Sequence, residues 1–141
     1  MNYPRIAGAA LAALVVFFVY GFLVEGLLIR KDFALSASLY RDSSAQMKYM
    51  PIGMAAVLIG LFAAAAVYAK WCGGASGDMM GLRFGVLMGL FVACIHAISN
   101  LVTMNIDVKL GLEIAVSTFV GWLLAGIAIG VVYRPAIPLA R

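Results

Sequence analysis

The chain has 141 residues, of which 65% are hydrophobic and 11% charged, and its mean hydropathy is +1.07. Soluble domains are about half apolar and about a quarter charged, so this chain lacks the polar residues to cover a globule. The composition excludes a soluble enzyme, a nucleic-acid-binding domain and a disordered tail. The net charge of +4 comes from 10 Lys and Arg in an apolar chain, which is typical of the flanks of membrane-spanning helices.

Four apolar runs follow one another along the chain, each long enough to cross about 30 Å of hydrocarbon as a helix. They cover residues 6–29, 51–69, 84–104 and 110–133. Lipid offers the backbone no hydrogen-bond partners, so continuous runs of this length must be helices. The sequence predicts an all-α membrane protein, a four-transmembrane-helix bundle with a longer first loop. It forms a single domain over residues 1–141, with both termini on the same side of the membrane.

The longer connection, residues 30–50, has apolar side chains at helical spacing, among them Phe33, Ala37 and Tyr40. It is either an amphipathic helix at the lipid headgroups or an ordered loop that packs over the bundle. Pro51 favours the first turn of the second spanning helix, because its missing N–H costs nothing at that position.

The third run carries a stripe of glycines, Gly81, Gly85 and Gly89, on one helical face. Glycines at this spacing let a second helix approach closely and gain van der Waals contact. The second and fourth runs offer matching small residues: Gly53, Ala56, Gly60, Ala64, Gly126 and Gly130. On the helical wheel Gly126 and Gly130 lie more than about 120° from Glu113. If Glu113 faces inward, this pair looks outward to another subunit; alternatively, the fourth helix packs against two neighbours.

Six polar residues fall in the leaflet nearest the first and third connections: Glu25, His96, Asn100, Thr103, Glu113 and Ser117. Such side chains are costly in lipid, and two carboxylates with an imidazole can carry a proton, hold a cation or bind a polar ligand. This hypothesis predicts that Glu25, His96 and Glu113 point into the bundle together. The alternative is that each glutamate reaches the interface and His96 hydrogen-bonds a neighbouring helix.

The sequence requires no cofactor and indicates no metal, because one histidine and two glutamates match no diagnostic ligand spacing. A single membrane histidine on a glycine-lined face can also ligate the metal of a tetrapyrrole, which is an alternative role for His96. No arrangement of nucleophile and base marks a catalytic residue, and the connections are too short for a separate catalytic domain. The pattern does not favour an enzyme.

The segment GLRFGVLMG at 81–89, with the run 121–130 leading into VVYR at 131–134, resembles small bacterial four-span integral membrane proteins of unassigned function. The resemblance implies the fold and a bacterial inner (cytoplasmic) membrane, but no activity. The Lys and Arg residues divide equally between the two sides of the bundle. We expect cytoplasmic termini.

The function that we expect is that of a non-catalytic accessory or scaffold subunit, which packs through glycine-rich helix faces in a larger membrane complex. Its partners would be membrane lipids and other membrane-protein subunits or further copies of itself, and not nucleic acid. The alternative is a small proton-linked carrier or ligand-binding membrane protein that uses Glu25, His96 and Glu113.

Overall fold

A computed structural model describes residues 2–72 and 77–133, and all regular structure among them is helical. Two segments are π turns, in which each backbone hydrogen bond spans one residue more than in an α-helix. In chain order the elements are α1 (Tyr3–Leu23), the first π turn (Val24–Leu28), α2 (Arg30–Leu35), a 3₁₀ turn (Ala37–Leu39), α3 (Ser43–Trp71), α4 (Asp78–Val92), the second π turn (Ala93–Ile98), α5 (Ser99–Thr103) and α6 (Val108–Val132).

Four continuous helical segments are long and apolar enough to cross a membrane: Tyr3–Leu28, Ser43–Trp71, Asp78–Thr103 and Val108–Val132. Large apolar side chains are exposed in the middle of these segments, as on Val15, Leu87 and Val116. A membrane protein exposes such side chains because lipid tails, not water, surround it. The predicted all-α four-helix membrane bundle is confirmed.

The second spanning helix begins earlier than predicted, at Ser43 instead of Pro51. Asp42 caps the N-terminus of this helix, because its carboxylate accepts a hydrogen bond from the backbone N–H of Ala45 at 2.7 Å. Pro51 therefore lies inside the helix, and its placement in the first turn was wrong. The remainder of the first connection contains a short helix and a 3₁₀ turn, so it is ordered and largely helical.

Helices α4 and α6 make the closest approach in the molecule, backbone against backbone. A Cβ added to Gly85 would lie 2.8 Å from the Cα of Leu123, and one added to Gly126 would lie 2.5 Å from the Cα of Gly85. Gly81, Gly89 and Gly130 are buried in the same contact. The expectation that Gly126 and Gly130 look outward was therefore wrong.

Helix α6 lies between α4 and α1 and packs closely on both, which is the alternative that the sequence left open. Its opposite side contacts α1 at Gly121, where an added Cβ would meet the ring of Tyr20 at 3.4 Å. The start of α4 is fixed by Gly77, which has a φ of +131° that favours glycine. Its N–H donates to the carbonyl of Gly130 at 3.1 Å.

All four spanning helices meet at one end of the bundle, which we call the closed end. The core there combines small residues of α1, such as Ala9 and Ala13, with large aromatic side chains. The ring of Tyr68, fully buried on α3, lies edge-on to Phe84 at 5.4 Å and to Tyr133 at 6.0 Å. Such edge-to-face pairs stabilise aromatic clusters beyond the area that they bury.

At the opposite end, which we call the open end, α3 separates from the other spanning helices. This end holds residues 20–28 of the first span, 43–56 of α3, 93–103 of the third span and 108–117 of α6. In α3 every residue from 46 to 56 is exposed. A Cβ added to Gly53 or Gly60 would meet no atom within 4 Å. Residues 46–56 of α3 are therefore not covered by another described spanning helix, although Arg41 of the first connection lies over the ring of Tyr49.

Candidate functional site

The two π turns lie at the open end, and each carries one of the predicted site residues. Glu25 lies in the first and His96 in the second. In the first, the N–H of Ile29 donates to the carbonyl of Val24, five residues back, at 3.0 Å. In the second, the Ser99 hydroxyl donates to the carbonyl of Cys94 at 3.5 Å. Such turns are frequent at functional sites because they redirect side chains and release carbonyl groups from the helix.

A groove of about 480 Å³ lies between α1 and α6 at the open end, and we call it the α1–α6 groove. Its walls are apolar along most of their length and polar at one end. It is lined by Tyr20, Val24, Leu28, Ile29, Lys109, Leu112, Glu113, Val116 and Ser117. Glu113 and Ser117 therefore line the same groove.

The polar end of this groove contains a chain of charged side chains. Lys109 Nζ donates to Asp32 Oδ1 at 2.8 Å and lies 3.5 Å from Glu113 Oε1. This contact joins α2 to the start of α6. The second carboxylate oxygen of Glu113, Oε2, is buried and has no hydrogen-bond partner among the described residues. A buried acceptor without a donor is costly, so this oxygen marks the groove as a place where a donor would be stabilised.

A second cavity, of about 740 Å³, lies beneath the first connection, and we call it the loop pocket. It has a more polar lining than the groove. Its residues are Glu25, Gly26, Arg30, Phe33, Ala34, Ala37, Tyr40, Arg41, Asp42, Ser43 and Gln46. Glu25 thus occupies a different cavity from Glu113.

Two ionisable groups of the loop pocket that lie outside the spanning segments, Tyr40 and Asp42, have shifted pKa values. Burial, with a smaller contribution from the negative charge of Glu25, raises the pKa of Tyr40. The Ala45 N–H, together with the Ser44 hydroxyl at 3.0 Å, lowers the pKa of Asp42 because both donors stabilise the carboxylate. The pocket is thus a polar chamber whose acidic group at the helix start stays ionised.

His96 lies away from both cavities. Its side chain is exposed, and it forms no hydrogen bond or ion pair with any described residue. Thr103 is also exposed and donates to the carbonyl of Ser99 at 3.3 Å, within its own helix. Asn100 is half-buried. His96 and Thr103 therefore lie on the outer surface of the third spanning helix and not in an internal site.

The structure does not bring Glu25, His96 and Glu113 together, and the expectation of a shared inward-facing cluster was wrong. Glu25 and His96 are exposed, and only Glu113 is half-buried. The helical wheel assumed about 100° per residue throughout, whereas the π turns shift the side chains that follow them. No sequence pattern signals the second π turn, so periodicity alone does not find it.

Around the candidate residues that the structure describes, there is no site that would hold a metal ion or a tetrapyrrole. In the part of the chain that the structure describes, no group of three or more His, Cys, Asp and Glu side chains is placed to hold a metal ion. His96 lines neither the α1–α6 groove nor the loop pocket, so neither cavity offers it a walled position beside a macrocycle. Comparison of the chain with protein-family models, curated proteins and solved structures finds no match.

Proposed function

We propose that this chain is a non-catalytic subunit of a larger membrane assembly and that its open end packs against other membrane helices. The observation that carries the proposal is the exposed imidazole of His96 within a spanning helix. It lies seven residues before the end of that helix, about 10 Å from it. Ionisable side chains at such depth normally face a protein interior or a partner, because lipid cannot solvate them.

The uncovered half of α3 supports the same proposal. Gly53 lies on it, and a Cβ added there would meet nothing within 4 Å. Ala56 and Gly60 instead line a cavity of about 300 Å³ together with Phe17 and Trp122, so their face of α3 looks toward α1 and α6. Small residues on a membrane helix allow the backbone of another helix to approach. The glycines of α4 and α6 contact each other within this chain, whereas Gly53 of α3 is free of neighbours within 4 Å and is available to a partner.

The test compares assemblies extracted directly from membranes with a lipid-stabilising polymer. We expect the protein to run above its own mass of 14.9 kDa in native mass spectrometry, with His96→Leu and Gly53→Leu each releasing the monomer. Gly21→Leu is the control, because Gly21 is also free of neighbours within 4 Å but lies on α1. A monomer in the unmutated protein, or equal behaviour of Gly53→Leu and Gly21→Leu, would contradict the proposal.

A ligand-binding role is the second candidate, and the unpartnered Oε2 of Glu113 favours it. A proton-linked carrier would need Glu25, His96 and Glu113 within reach of one another, and the three side chains lie in different places. The ligand-binding role therefore depends on Glu113 and the α1–α6 groove. Glu113→Gln separates the two functions, since it changes the groove and leaves the α3 face intact.

We also propose that the protein lies in a bacterial inner membrane with cytoplasmic termini. The four apolar spans support an integral membrane position, and the resemblance to bacterial four-span proteins supports the compartment. The equal division of Lys and Arg leaves the orientation to experiment. Reporter fusions after residue 141 and within the first connection measure this orientation. We expect the fusion after residue 141 to report the cytoplasm and the fusion in the first connection to give the opposite signal.

A further inference from the structure

The α1–α6 groove combines an apolar trough with a charged end at the height of the lipid headgroups. Val24, Leu28 and Val116 line the trough. Lys109 and Glu113 lie at the start of α6, within the first six residues of a spanning helix, and therefore near the membrane surface. An amphiphile that lies parallel to α6 would place its chain in the trough and its headgroup at this charged end.

The charges at that end favour one kind of headgroup. Asp32 and Glu113 are acidic and Lys109 is basic, so the three ionised groups sum to one negative charge. Lys109 Nζ has three donors, of which Asp32 accepts one and Glu113 Oε1 lies near a second. The side chain of Lys109 is 63% exposed, so its remaining N–H is available to an outside acceptor. Glu113 Oε2 offers an acceptor without a donor.

We propose that the α1–α6 groove binds one phospholipid whose headgroup carries a primary ammonium group. The ammonium donates to the Glu113 carboxylate, whose side chain is 26% exposed, and balances the net negative charge, while the phosphate accepts from Lys109. The acyl chain lies along the apolar trough. A quaternary ammonium headgroup has the same charges but no N–H to donate. An anionic headgroup without an amine would bring no cation to pair with the carboxylates of Asp32 and Glu113.

The test uses the purified full-length chain, delipidated in mild detergent and titrated with phosphatidylethanolamine, phosphatidylcholine or phosphatidylglycerol carrying identical acyl chains. Native mass spectrometry counts the retained lipid. We expect phosphatidylethanolamine to be retained about tenfold more tightly than phosphatidylcholine, as expected for one charge-assisted hydrogen bond. Glu113→Gln should remove most of this preference, and Val116→Trp, at a side chain 63% exposed, should weaken retention of all three lipids by filling the trough.

Glu25→Gln is the matched control, because it removes a carboxylate of the same leaflet that lines the loop pocket instead. It should leave the preference for phosphatidylethanolamine unchanged. Equal retention of phosphatidylethanolamine and phosphatidylcholine would overturn the proposal, as would strongest retention of phosphatidylglycerol. An equal loss in Glu25→Gln and Glu113→Gln would also overturn it. The proposed function does not depend on this outcome, because the face of α3 lies outside the groove.

Discussion

The closed end and the open end of the bundle are built from the same kinds of apolar helix, yet they are packed in opposite ways. At the closed end, glycines let α4 and α6 touch, and Tyr68 and Phe84 fill the space between the helices. At the open end, α3 separates, two π turns interrupt the helices, and the cavities open between them. Close packing and candidate chemistry therefore occupy different halves of one small molecule.

This difference shows how a membrane bundle of four helices can combine a fixed fold with adaptable surfaces. In lipid there is little hydrophobic drive between helices, so stability comes from close contact, and close contact needs small residues. The glycines of the α4–α6 contact line neither the α1–α6 groove nor the loop pocket. Polar side chains such as Glu25 and Glu113 lie at the end where the helices do not touch closely, and cavities form beside them.

The largest expected effect is at the glycine contact of the closed end. Gly85→Leu should destabilise the protein by about 3 kcal/mol, because the new side chain has no space against the backbone of Leu123 and Trp122. Gly21→Leu at the open end, where an added Cβ meets nothing within 4 Å, should change stability by less than about 0.5 kcal/mol. Unfolding by SDS in mixed micelles measures both, and equal effects would show that the two ends do not differ in packing.

A smaller loss is expected from the aromatic cluster. Phe84→Ala should cost about 2 kcal/mol through the cavity that it leaves beside Tyr68 and Trp71, which is less than in a water-soluble core because lipid removes most of the transfer contribution. Phe91→Ala removes the same side chain from the same helix at a position that is 59% exposed, and we expect little change there. The same unfolding assay compares the two variants. A larger loss at Phe91 would place the core on the other face of α4.

The smallest effect concerns the start of α3 at the open end. The capping hydrogen bonds lower the pKa of Asp42, so we expect its carboxyl carbon to titrate by NMR with a midpoint below the ordinary 3.8. A carboxylate with a lowered folded-state pKa contributes stability above its unfolded pKa, and that contribution is lost as the pH falls through the folded-state value. The first turn of α3 should therefore fray in acid.

Ser44→Ala tests the cause of that shift. It removes one of the two donors to Asp42, so the midpoint should rise toward 3.8. A midpoint at or above 3.8 in the unmutated protein would mean that Asp42 does not cap the helix.

The sequence predicts the fold class well because the apolar runs and the hydrogen-bonding demands of lipid leave one solution. The glycine stripe is visible on a helical wheel, but its partner is not, since both the second and the fourth runs offer small residues. The predicted outward orientation of Gly126 and Gly130 was wrong because the helical wheel assigned one inward face to α6, whereas the helix packs on two neighbours. The periodicity of one helix does not show how many other helices surround it.

The candidate site was predicted less well, for a different physical reason. Depth in the membrane follows from counting residues, so the shared leaflet of Glu25, His96 and Glu113 is visible in the sequence. The direction in which a side chain points depends on the regularity of the helix backbone, and two of the three residues lie in π turns. The separation of α3 adds to this, because it depends on contacts between helices that no single helix encodes.

The divergence of α3 from the rest of the bundle is the central claim, and pulsed electron paramagnetic resonance tests it most directly. Spin labels at Val67 and Leu87 report the closed end, and labels at Met47 and Val102 report the open end, with both native cysteines replaced by serine. All four labelled positions are exposed, so the labels leave the core intact. We predict a clearly longer distance for the open-end pair than for the closed-end pair. Equal distances would describe a parallel-sided bundle and contradict the account.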